Sequence, residues 1–321
     1  MATPTRYVCT LSREQFEQLR ELLISRGWKL GTAPYAHWQA QLDKTTVVAY
    51  ESGKLTVQGK GTAELVQFVI EPEYLGAARF GYETELAEVE KPDMFTPHAG
   101  IDESGKGDYF GPLVIAAAYV DATTARTLLQ AGVADSKTIH SDRRIADLAD
   151  TIRRETRGAF SVVAIGPEAY NRLYAKFRNV NSLLAWGHAR ALENLLEIVP
   201  DCPRAISDQF GGARTIPAAL LEKGRKVKFE QRHRAEADIA VAAASVLARA
   251  GFVHRLEELG KQIGLTLPKG AGPQVDKAAA VLAARGGRGL LASVAKSHFR
   301  TTEKVISGAG TSPDSSPQTT D

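Results

Sequence analysis

The fold is decided by the stretch Gly100-Ile101-Asp102-Glu103-Ser104-Gly105-Lys106-Gly107-Asp108-Tyr109-Phe110-Gly111-Pro112, which is followed by an apolar run over 113–120. This order predicts a hairpin whose second strand is buried. Neighbouring side chains on a regular strand face opposite ways, so we expect the strand to break at Glu103 if both carboxylates serve one site. The following Ser104-Gly105 pair permits such a break. The stretch therefore predicts an acidic turn that can hold a metal ion and a phosphate together.

A phosphate-binding P-loop is the nearest alternative interpretation of this stretch. The hydroxyl residue that should follow the glycine-lysine pair is replaced by Gly107. Asp102 and Glu103 would also lie where backbone N–H groups should cradle phosphates, and their charges would repel them. We therefore reject the P-loop. A solvated acidic turn without a function stays open on this segment alone.

Length and composition are typical of a globular protein. The chain has 321 residues, enough for two domains, with 44% hydrophobic and 24% charged residues. No apolar stretch looks long enough to span a bilayer, and the first residues do not form a secretory signal. We therefore expect a cytoplasmic protein that does not associate with a membrane. Two cysteines are too few for a disulfide framework or a thiolate zinc site. The net charge of +3 is too small to indicate nucleic-acid binding by itself. The basic segment 204–234 is a local candidate for such a contact, and the alternative is a plain solvated surface.

Changes of periodicity divide the chain into four parts. Residues 1–82 alternate short strands and helices and predict a small α+β domain. Residues 83–97 are acidic, contain two prolines and predict a linker. Residues 98–306 alternate strands and helices, which favours an α/β sheet covered by helices. Residues 307–321 have almost nothing to bury and are expected to be disordered.

Two further carboxylates end elements of the predicted sheet domain. Asp208 follows the short apolar strand 205–208 and precedes glycines that turn the chain away. Asp238 lies at the start of an alanine-rich helix, on the face that it shares with Val241 and Ser245. The alternative for Asp238 alone is an acid that merely complements the helix dipole.

Together, Asp102, Glu103, Asp208 and Asp238 are predicted to face one sheet edge. Four carboxylates repel one another unless cations neutralise them. Mg²⁺ is the expected cation because it takes hard oxygen ligands and keeps positions for water and phosphate. Two such ions about 4 Å apart would activate water and stabilise the leaving oxygen of a phosphodiester.

At this point the chain resembles the type 2 ribonucleases H, and within them ribonuclease HIII. The resemblance covers almost the whole second domain and a part of the first. It is carried by the opening stretch 100–112, by Asp135-Ser136-Lys137, Asn179-Val180-Asn181 and Ser207-Asp208-Gln209-Phe210, by Ala235-Glu236-Ala237-Asp238 with its helix, by Leu267-Pro268-Lys269-Gly270-Ala271-Gly272, and by Ala295-Lys296-Ser297-His298-Phe299-Arg300-Thr301-Thr302.

The resemblance implies a ribonuclease H-like mixed sheet flanked by helices, preceded by a small α+β domain similar to the TATA-binding protein. It implies an endonuclease that cuts the RNA strand of an RNA/DNA hybrid and leaves 5′-phosphate and 3′-hydroxyl ends. The quartet Asp102, Glu103, Asp208 and Asp238 would hold two divalent ions, Mg²⁺ or Mn²⁺. No organic cofactor is expected, and the protein is expected to be a monomer.

The resemblance also implies substrate contacts in the second domain. The glycine element Gly105-Lys106-Gly107 would approach the ribose 2′-hydroxyl, which only RNA offers, and Lys106 would meet a phosphate. Lys137 and Asn181 would contact the nucleic-acid backbone or, alternatively, only fix loops.

In the first domain the family's two most recognisable segments correspond to 34–40 and 53–61. The implied contacts are stacking by Tyr35 and Trp38 and phosphate neutralisation by Lys54 and Lys60. Core packing is the alternative for the two aromatic residues. A lysine is expected where Gln41 stands.

Two other functions are carried as alternatives. One is an activity like that of ribonuclease HII, which excises single ribonucleotides from DNA; the separate first domain and Lys106 in the glycine element argue against it. The other is a noncatalytic hybrid-binding protein. Four clustered carboxylates argue against that one, because without metal they would repel phosphate.

Overall fold

The computed structural model describes residues 6–209 and 215–309. The chain divides into two compact units, with the division after Lys91. The elements of the first unit are β1 (Arg6–Thr10), α1 (Arg13–Ser25), β2 (Lys29–Gly31), β3 (Ala36–Leu42), β4 (Thr45–Tyr50), β5 (Lys54–Gly59), α2 (Thr62–Leu65), a π-helix (Val66–Leu75) and α3 (Glu83–Glu90).

The first unit is built on an antiparallel sheet with strand order β1-β5-β4-β3-β2. Helix α1 begins at a capping box formed by Ser12 and Gln15, as its sequence pattern predicts. Apolar residues of α1, of the π-helix and of one sheet face form a single core that includes Phe16, Ile70 and Val57. Both helices therefore cover the same face of the sheet.

Within residues 6–91, the helices that form the core, α1 and the π-helix, do not pack on the opposite face of this sheet, which we call the open face. Cross-strand pairing assigns to it Arg6, Val8, Thr10, Lys29, Gln39, Gln41, Thr46, Val48, Tyr50, Lys54, Thr56 and Gln58. These side chains are cationic, amide, hydroxyl or apolar, and none is acidic. The open face is thus a positive, hydrogen-bonding surface.

The second unit begins with a 3-10 turn (Pro92–Phe95), and its helices and strands alternate along the chain. They are β6 (His98–Ser104), β7 (Leu113–Val120), α4 (Ala122–Gln130), α5 (Asp142–Glu155), β8 (Phe160–Ile165), α6 (Pro167–Phe177), α7 (Val180–Ile198), β9 (Arg204–Asp208), α8 (Thr215–Ala219), β10 (Lys228–Arg232), α9 (Ile239–Ile263), α10 (Pro273–Val294) and α11 (Arg300–Ala309).

The second sheet is mixed, with strand order β10-β9-β6-β7-β8. β6, β7 and β8 pair antiparallel, whereas β9 is parallel to both β6 and β10. Helix α7 packs on one face, where Gly187 lies against Ile115. Helix α9 packs so closely on the other face that a Cβ on Gly100 would lie 2.1 Å from the Ala240 backbone. The predicted sheet flanked by helices is confirmed.

Several boundaries differ from the sequence-based expectation. The segment 83–97, expected to be an irregular linker, contains α3 and the 3-10 turn. The predicted disordered tail was placed from residue 307, but α11 runs to Ala309, and the remainder of that tail lies outside the described residues. Helix α9 is also long and apolar enough to cross a membrane, contrary to expectation, yet most of it is buried within the second unit. Such burial is typical of the central helix of a folded domain.

Candidate active site

The two adjacent carboxylates lie on β6, and the strand does not break between them. Ladder pairing continues through Asp102, Glu103 and Ser104. The expected break at Glu103 was therefore wrong: Asp102 faces α9, and Glu103 faces α7 on the other side of the sheet. Both side chains nevertheless reach one cavity, because they lie at the end of the strand, where neither helix closes the space.

The turn that follows β6 needs glycine at its first position. Gly105 has φ +90°, and a Cβ there would lie 2.3 Å from the carbonyl oxygen of Pro112 and against the ring of Phe252. Gly107, in contrast, has open space where a Cβ would be. Lys106 lies between them, with its Nζ 3.7 Å from an oxygen of Glu103. The turn is therefore packed closely at Gly105, against Pro112 and Phe252, and leaves Gly107 accessible.

Glu103 is held by a buried histidine. His188 Nε2 lies 3.0 Å from Oε2 of Glu103, and its Nδ1 lies 3.1 Å from Oγ of Ser207. That hydroxyl donates to the carbonyl of Asp208, so it accepts from Nδ1. His188 thus bridges Glu103 and Ser207. Burial by itself would raise the pKa of Glu103, but the bond to His188 and the charges of His188, Lys106 and Lys137 hold it below its ordinary value.

Asp102 is in the opposite electrostatic situation. Burial, and next the charge of Glu103, raise its pKa to about 6, although Ser245 and the Glu103 amide donate hydrogen bonds to the carboxylate. Two neighbouring acids thus have pKa values that move apart. Asp102 carries a negative charge at neutral pH that its protein partners compensate only in part.

The carboxyl ends of β6 and β9 open on a cavity of about 470 Å³. Its lining residues are Asp102, Glu103, Ser104, Gly105, Lys106, Gly107, Ser136, Lys137, Asp208, Gln209, Ser245 and Arg249. Three of the four predicted acids, the whole glycine element and Lys137 are therefore brought together. The predicted residue Phe210 lies outside the described residues.

The pKa of Lys137, which lines this cavity, is affected by the acids near it. Burial lowers its pKa, but the charges of Asp102, Asp135, Glu236 and Asp208 raise it above the ordinary value. Glu236 is partly exposed, and its charge is one of those that act on Lys137, although it does not line the cavity. It belongs to the family motif 235–238 but was not predicted as a site residue.

Asp238 is not among the cavity residues. Helix α9 begins at Ile239, so Asp238 is its N-cap and accepts hydrogen bonds from the amides of Ala240 and Val241. His98 Nε2 lies 2.9 and 3.1 Å from the two carboxylate oxygens. The sequence predicts a helix that begins three residues earlier, at Glu236, with Asp238 directed inward. The strong N-cap preference of aspartate explains the difference.

Comparison with known proteins identifies the family. The pattern described as Ribonuclease HII matches residues 99–302, and that described as Domain of unknown function (DUF3378) matches residues 6–73. Ribonuclease HIII of Protochlamydia amoebophila (strain UWE25) is 41% identical over 304 residues, covering 95% of this chain and 98% of its own. Ribonuclease HIII of Chlamydia pneumoniae is 40% identical, covering 95% and 99%.

The chain belongs to the ribonuclease HIII family. It is accordingly an endoribonuclease. Among solved structures it is similar to Bst ribonuclease HIII in complex with Mn²⁺, with a TM-score of 0.63 and 28% identity over 95% of this chain and 99% of that one. Ribonuclease H3 of Aquifex aeolicus gives a TM-score of 0.50 at 26% identity, covering 90% and 98%.

The remaining predicted contacts of this ribonuclease HIII are distributed unevenly. Asn181 lies in the first turn of α7, outside the cavity lining, and its amide donates to the capping side chain of Asn179. Trp38 is only 4% exposed and packs edge-on against Phe16, so it belongs to the core and the predicted stacking role was wrong. Tyr35, by contrast, is 83% exposed.

The two predicted lysines of the first unit lie in different places. Lys54 is exposed on the open face of the sheet. Lys60 is exposed as well, but it lines a separate cavity together with Trp28, Lys44 and Phe68, beside the helices. Only Lys54 shares a surface with the other cationic and amide groups of the open face.

Two further cavity residues of this ribonuclease HIII were missed by the sequence analysis. Ser245 and Arg249 are four residues apart on α9 and so share one helix face, a spacing that could have revealed them. Ser245 bonds to Ser136 at 2.8 Å, and Arg249 donates to the carbonyls of Ser136 and Ile139. They hold the turn that carries Lys137. His98 and His188 left no local signal, because their partners are 140 and 85 residues away.

Proposed function

We propose that this ribonuclease HIII hydrolyses the RNA strand of RNA/DNA hybrids with the help of divalent metal ions, leaving 5′-phosphate and 3′-hydroxyl ends. The observation that carries the proposal is the single cavity that unites Asp102, Glu103 and Asp208 with the turn Gly105-Lys106-Gly107. Acids suited to metal ions and backbone suited to ribose thus border the same space.

The residues present fit divalent cations by their chemistry. All the acids that border the cavity offer hard oxygen ligands, which Mg²⁺ and Mn²⁺ accept. Burial and the charge of Glu103 raise the pKa of Asp102 to about 6, a repulsion that a bound cation would relieve. Among the described residues no three His, Cys, Asp or Glu side chains already form a metal-holding group. We therefore propose that Glu103 exchanges contacts with His188 and Lys106 for contacts with metal.

We propose Asp102, Glu103, Asp208 and Glu236 as the metal-holding residues, with Glu236 in place of Asp238. Asp238 already accepts bonds from His98 and from two helix amides, and a metal would have to break them. The charge of Glu236 raises the pKa of Lys137, as the charges of Asp102 and Asp208 do. When bound, the metal ions would polarise the scissile phosphate and activate the attacking water.

The other residues of the cavity bind and orient the substrate. The open space at Gly107 lets the backbone of the turn approach a ribose, whose 2′-hydroxyl can exchange hydrogen bonds with it. Lys106 and Lys137 provide positive charge for the backbone phosphates on either side of the cut. These contacts select RNA as the strand to be cleaved and hold it in register.

We propose that the open face of the first unit binds the hybrid duplex. Its lysine, arginine and glutamine side chains suit phosphate and sugar oxygens, and the lack of acidic side chains on it avoids repulsion. Exposed Tyr35 belongs to the same unit and offers an aromatic surface for a sugar or base. Within this proposal Lys54 contributes more than Lys60.

The deciding experiment follows an end-labelled RNA strand paired with DNA, beside single-stranded RNA, duplex RNA, duplex DNA and a DNA duplex with one ribonucleotide. Each substrate is incubated with Mg²⁺, Mn²⁺ or chelator. Metal-dependent cutting of the hybrid supports the proposal. Efficient cutting at the single ribonucleotide would favour an activity like that of ribonuclease HII, and hybrid binding without any cutting would favour a noncatalytic binding protein.

We also propose that the protein is a monomer and that it is located in the cytoplasm, as its sequence predicts. Light scattering on the purified protein tests the first, and cell fractionation tests the second. A stable dimer, or recovery with the membranes, would contradict them.

A further inference from the structure

A buried lysine holds the segment that follows the glycine turn. Lys296 is fully buried, and its ammonium lies 2.8 Å from the carbonyl oxygens of Asp108 and Gly111 and 3.4 Å from that of Phe110. These three carbonyls belong to residues 108–111, which we call the clamped segment. It begins directly after Gly107, so one ammonium fixes the path along which the chain leaves the cavity.

The backbone around Lys296 completes the contact. Residues 294–297, which we call the strap, run antiparallel to the clamped segment, with a bridge between Phe110 and Ala295. The amide of Gly111 donates to Val294, and the amide of Lys296 donates to Tyr109, each at 2.9 Å. On the other side, the amide of Tyr109 donates to Gly270. The clamped segment is therefore held from two sides.

Burial makes the lysine and the segment depend on each other. A buried ammonium is strongly destabilising unless its N–H groups are satisfied. Desolvation lowers the pKa of Lys296 to about 7, and the charge of Asp108 opposes that shift. The clamped segment cannot take another path without leaving the ammonium unsatisfied. The arrangement thus fixes one conformation of the segment.

We infer that Lys296 is a positioning residue for RNA recognition: through the clamped segment it holds the turn 105–107 in the shape that meets the ribose. Lys296 touches no substrate in this scheme, and its role rests on the proposed function of that turn. It differs from Gly105, which fits the turn onto Phe252 by its lack of a side chain. Phe252 of α9 supports the turn at Gly105, and Lys296 supports the clamped segment that follows the turn.

The test compares Lys296→Met, which removes the N–H donors, with Asn171→Ala as a matched control. Asn171 also anchors the strap, donating to the carbonyls of Ala292 and Ala295 and accepting from the amide of Ser297, but none of its contacts is with the clamped segment. A loss of strap packing alone would therefore affect both variants alike. A specific role would affect only Lys296→Met.

The first readout is amide hydrogen exchange without substrate. In Lys296→Met the amides of Asp108, Tyr109 and Gly111 should exchange faster, whereas Asn171→Ala should leave them protected. Equal exchange in the two variants, or no change, overturns the inference. If Lys296→Met does not fold, Lys296→Gln takes its place: its two N–H donors cannot serve all three carbonyls, so the same three amides should still exchange faster than in Asn171→Ala. If neither variant folds, rapid exchange of these three amides in the unaltered protein overturns it.

The second readout is hybrid cleavage at saturating metal. Misplacement of the turn should raise the KM of Lys296→Met about tenfold and change kcat less. It should also reduce the preference for ribose over deoxyribose at the cut position. Asn171→Ala should keep both parameters. An unaltered protein that does not cut hybrid counts against the proposed function, and the exchange experiment still judges the clamp.

Discussion

The two sheets of this ribonuclease HIII use different parts of their surface. The described helices α1 and the π-helix cover one face of the first sheet, and its open face spreads cationic and amide groups over four of the five strands, β1, β2, β3 and β5. The second sheet is covered by α7 and α9 and gathers its acids where β6 and β9 end. A face distributes many weak contacts along a duplex, whereas an edge concentrates charge at one point. In the proposed function, duplex binding is therefore assigned to the open face of the first sheet and chemistry to the edge of the second.

The largest expected effect concerns the edge. Replacing Asp102 by Asn removes a metal ligand and no phosphate contact, so cleavage should fall about 10³-fold or more while hybrid binding persists. Single-turnover cleavage and a binding titration measure the two properties. Asp150→Asn, an exposed acid on α5 paired with Arg153, is the control. Retained turnover in Asp102→Asn would break the assignment of chemistry to the edge.

The same substitution should stabilise the metal-free protein. Above pH 6, folding keeps an ionised Asp102 buried beside Glu103, and Asn removes this repulsion. A gain of roughly 1 kcal/mol would raise Tm by about 2–4 °C for a unit of this size. Differential scanning calorimetry in chelator tests it, and a lower Tm would show that Asp102 is not repelled.

A second pair of variants distinguishes Glu236 from Asp238. Glu236→Gln should lower metal-dependent cleavage about 10–100-fold with little change in Tm. Asp238→Asn should instead destabilise the fold by about 1–3 kcal/mol, because it weakens an N-cap and leaves His98 without its acid. Cleavage rates and melting curves of both variants give the answer. A stable but inactive Asp238→Asn would restore Asp238 as the fourth metal-holding acid.

Lowering the pH should weaken metal binding at the edge of the second sheet, where β6 and β9 end. Because the folded-state pKa of Asp102 is raised from 3.8 to about 6, the folded protein keeps a proton between those values that the unfolded chain releases. Metal must displace that proton. At subsaturating Mg²⁺, cleavage should therefore fall by up to about tenfold per pH unit below 6 and level off above it. Saturating metal should move the midpoint to lower pH, and an unmoved midpoint would point to another group.

The smallest effect is expected on the face. Lys54→Gln should weaken hybrid binding a few-fold and reduce the slope of log affinity against log salt by about 1, with kcat unchanged. Lys60→Gln is the matched comparison, because Lys60 is exposed as well but lies beside the helices. Fluorescence anisotropy at several salt concentrations measures both. Equal losses in the two variants would mean that binding is not confined to the open face.

Most of this architecture could be predicted from the sequence, because the patterns that indicate strands, helices and acids at strand ends lie within short segments of the chain. Strands 113–120 and 160–165 follow from apolar runs, and the metal-suited acids follow from strand ends. Contacts between distant residues left no such signal. His188 reaches Glu103 across 85 residues, and His98 reaches Asp238 across 140. The start of α9 was misjudged because Asp238 suits both an inward helix position and an N-cap, and only the tertiary contact with His98 decides between them.

Gly100 determines how closely β6 approaches the start of α9. Its missing side chain lets the backbone of β6 touch that of α9 at Ala240, so the separation between Asp102 and the start of α9 is set by main chain rather than by packed side chains. A single methyl at position 100 would push the helix away. An uncharged residue without a side chain therefore controls how far Asp102 lies from the start of α9, although it takes no part in the chemistry.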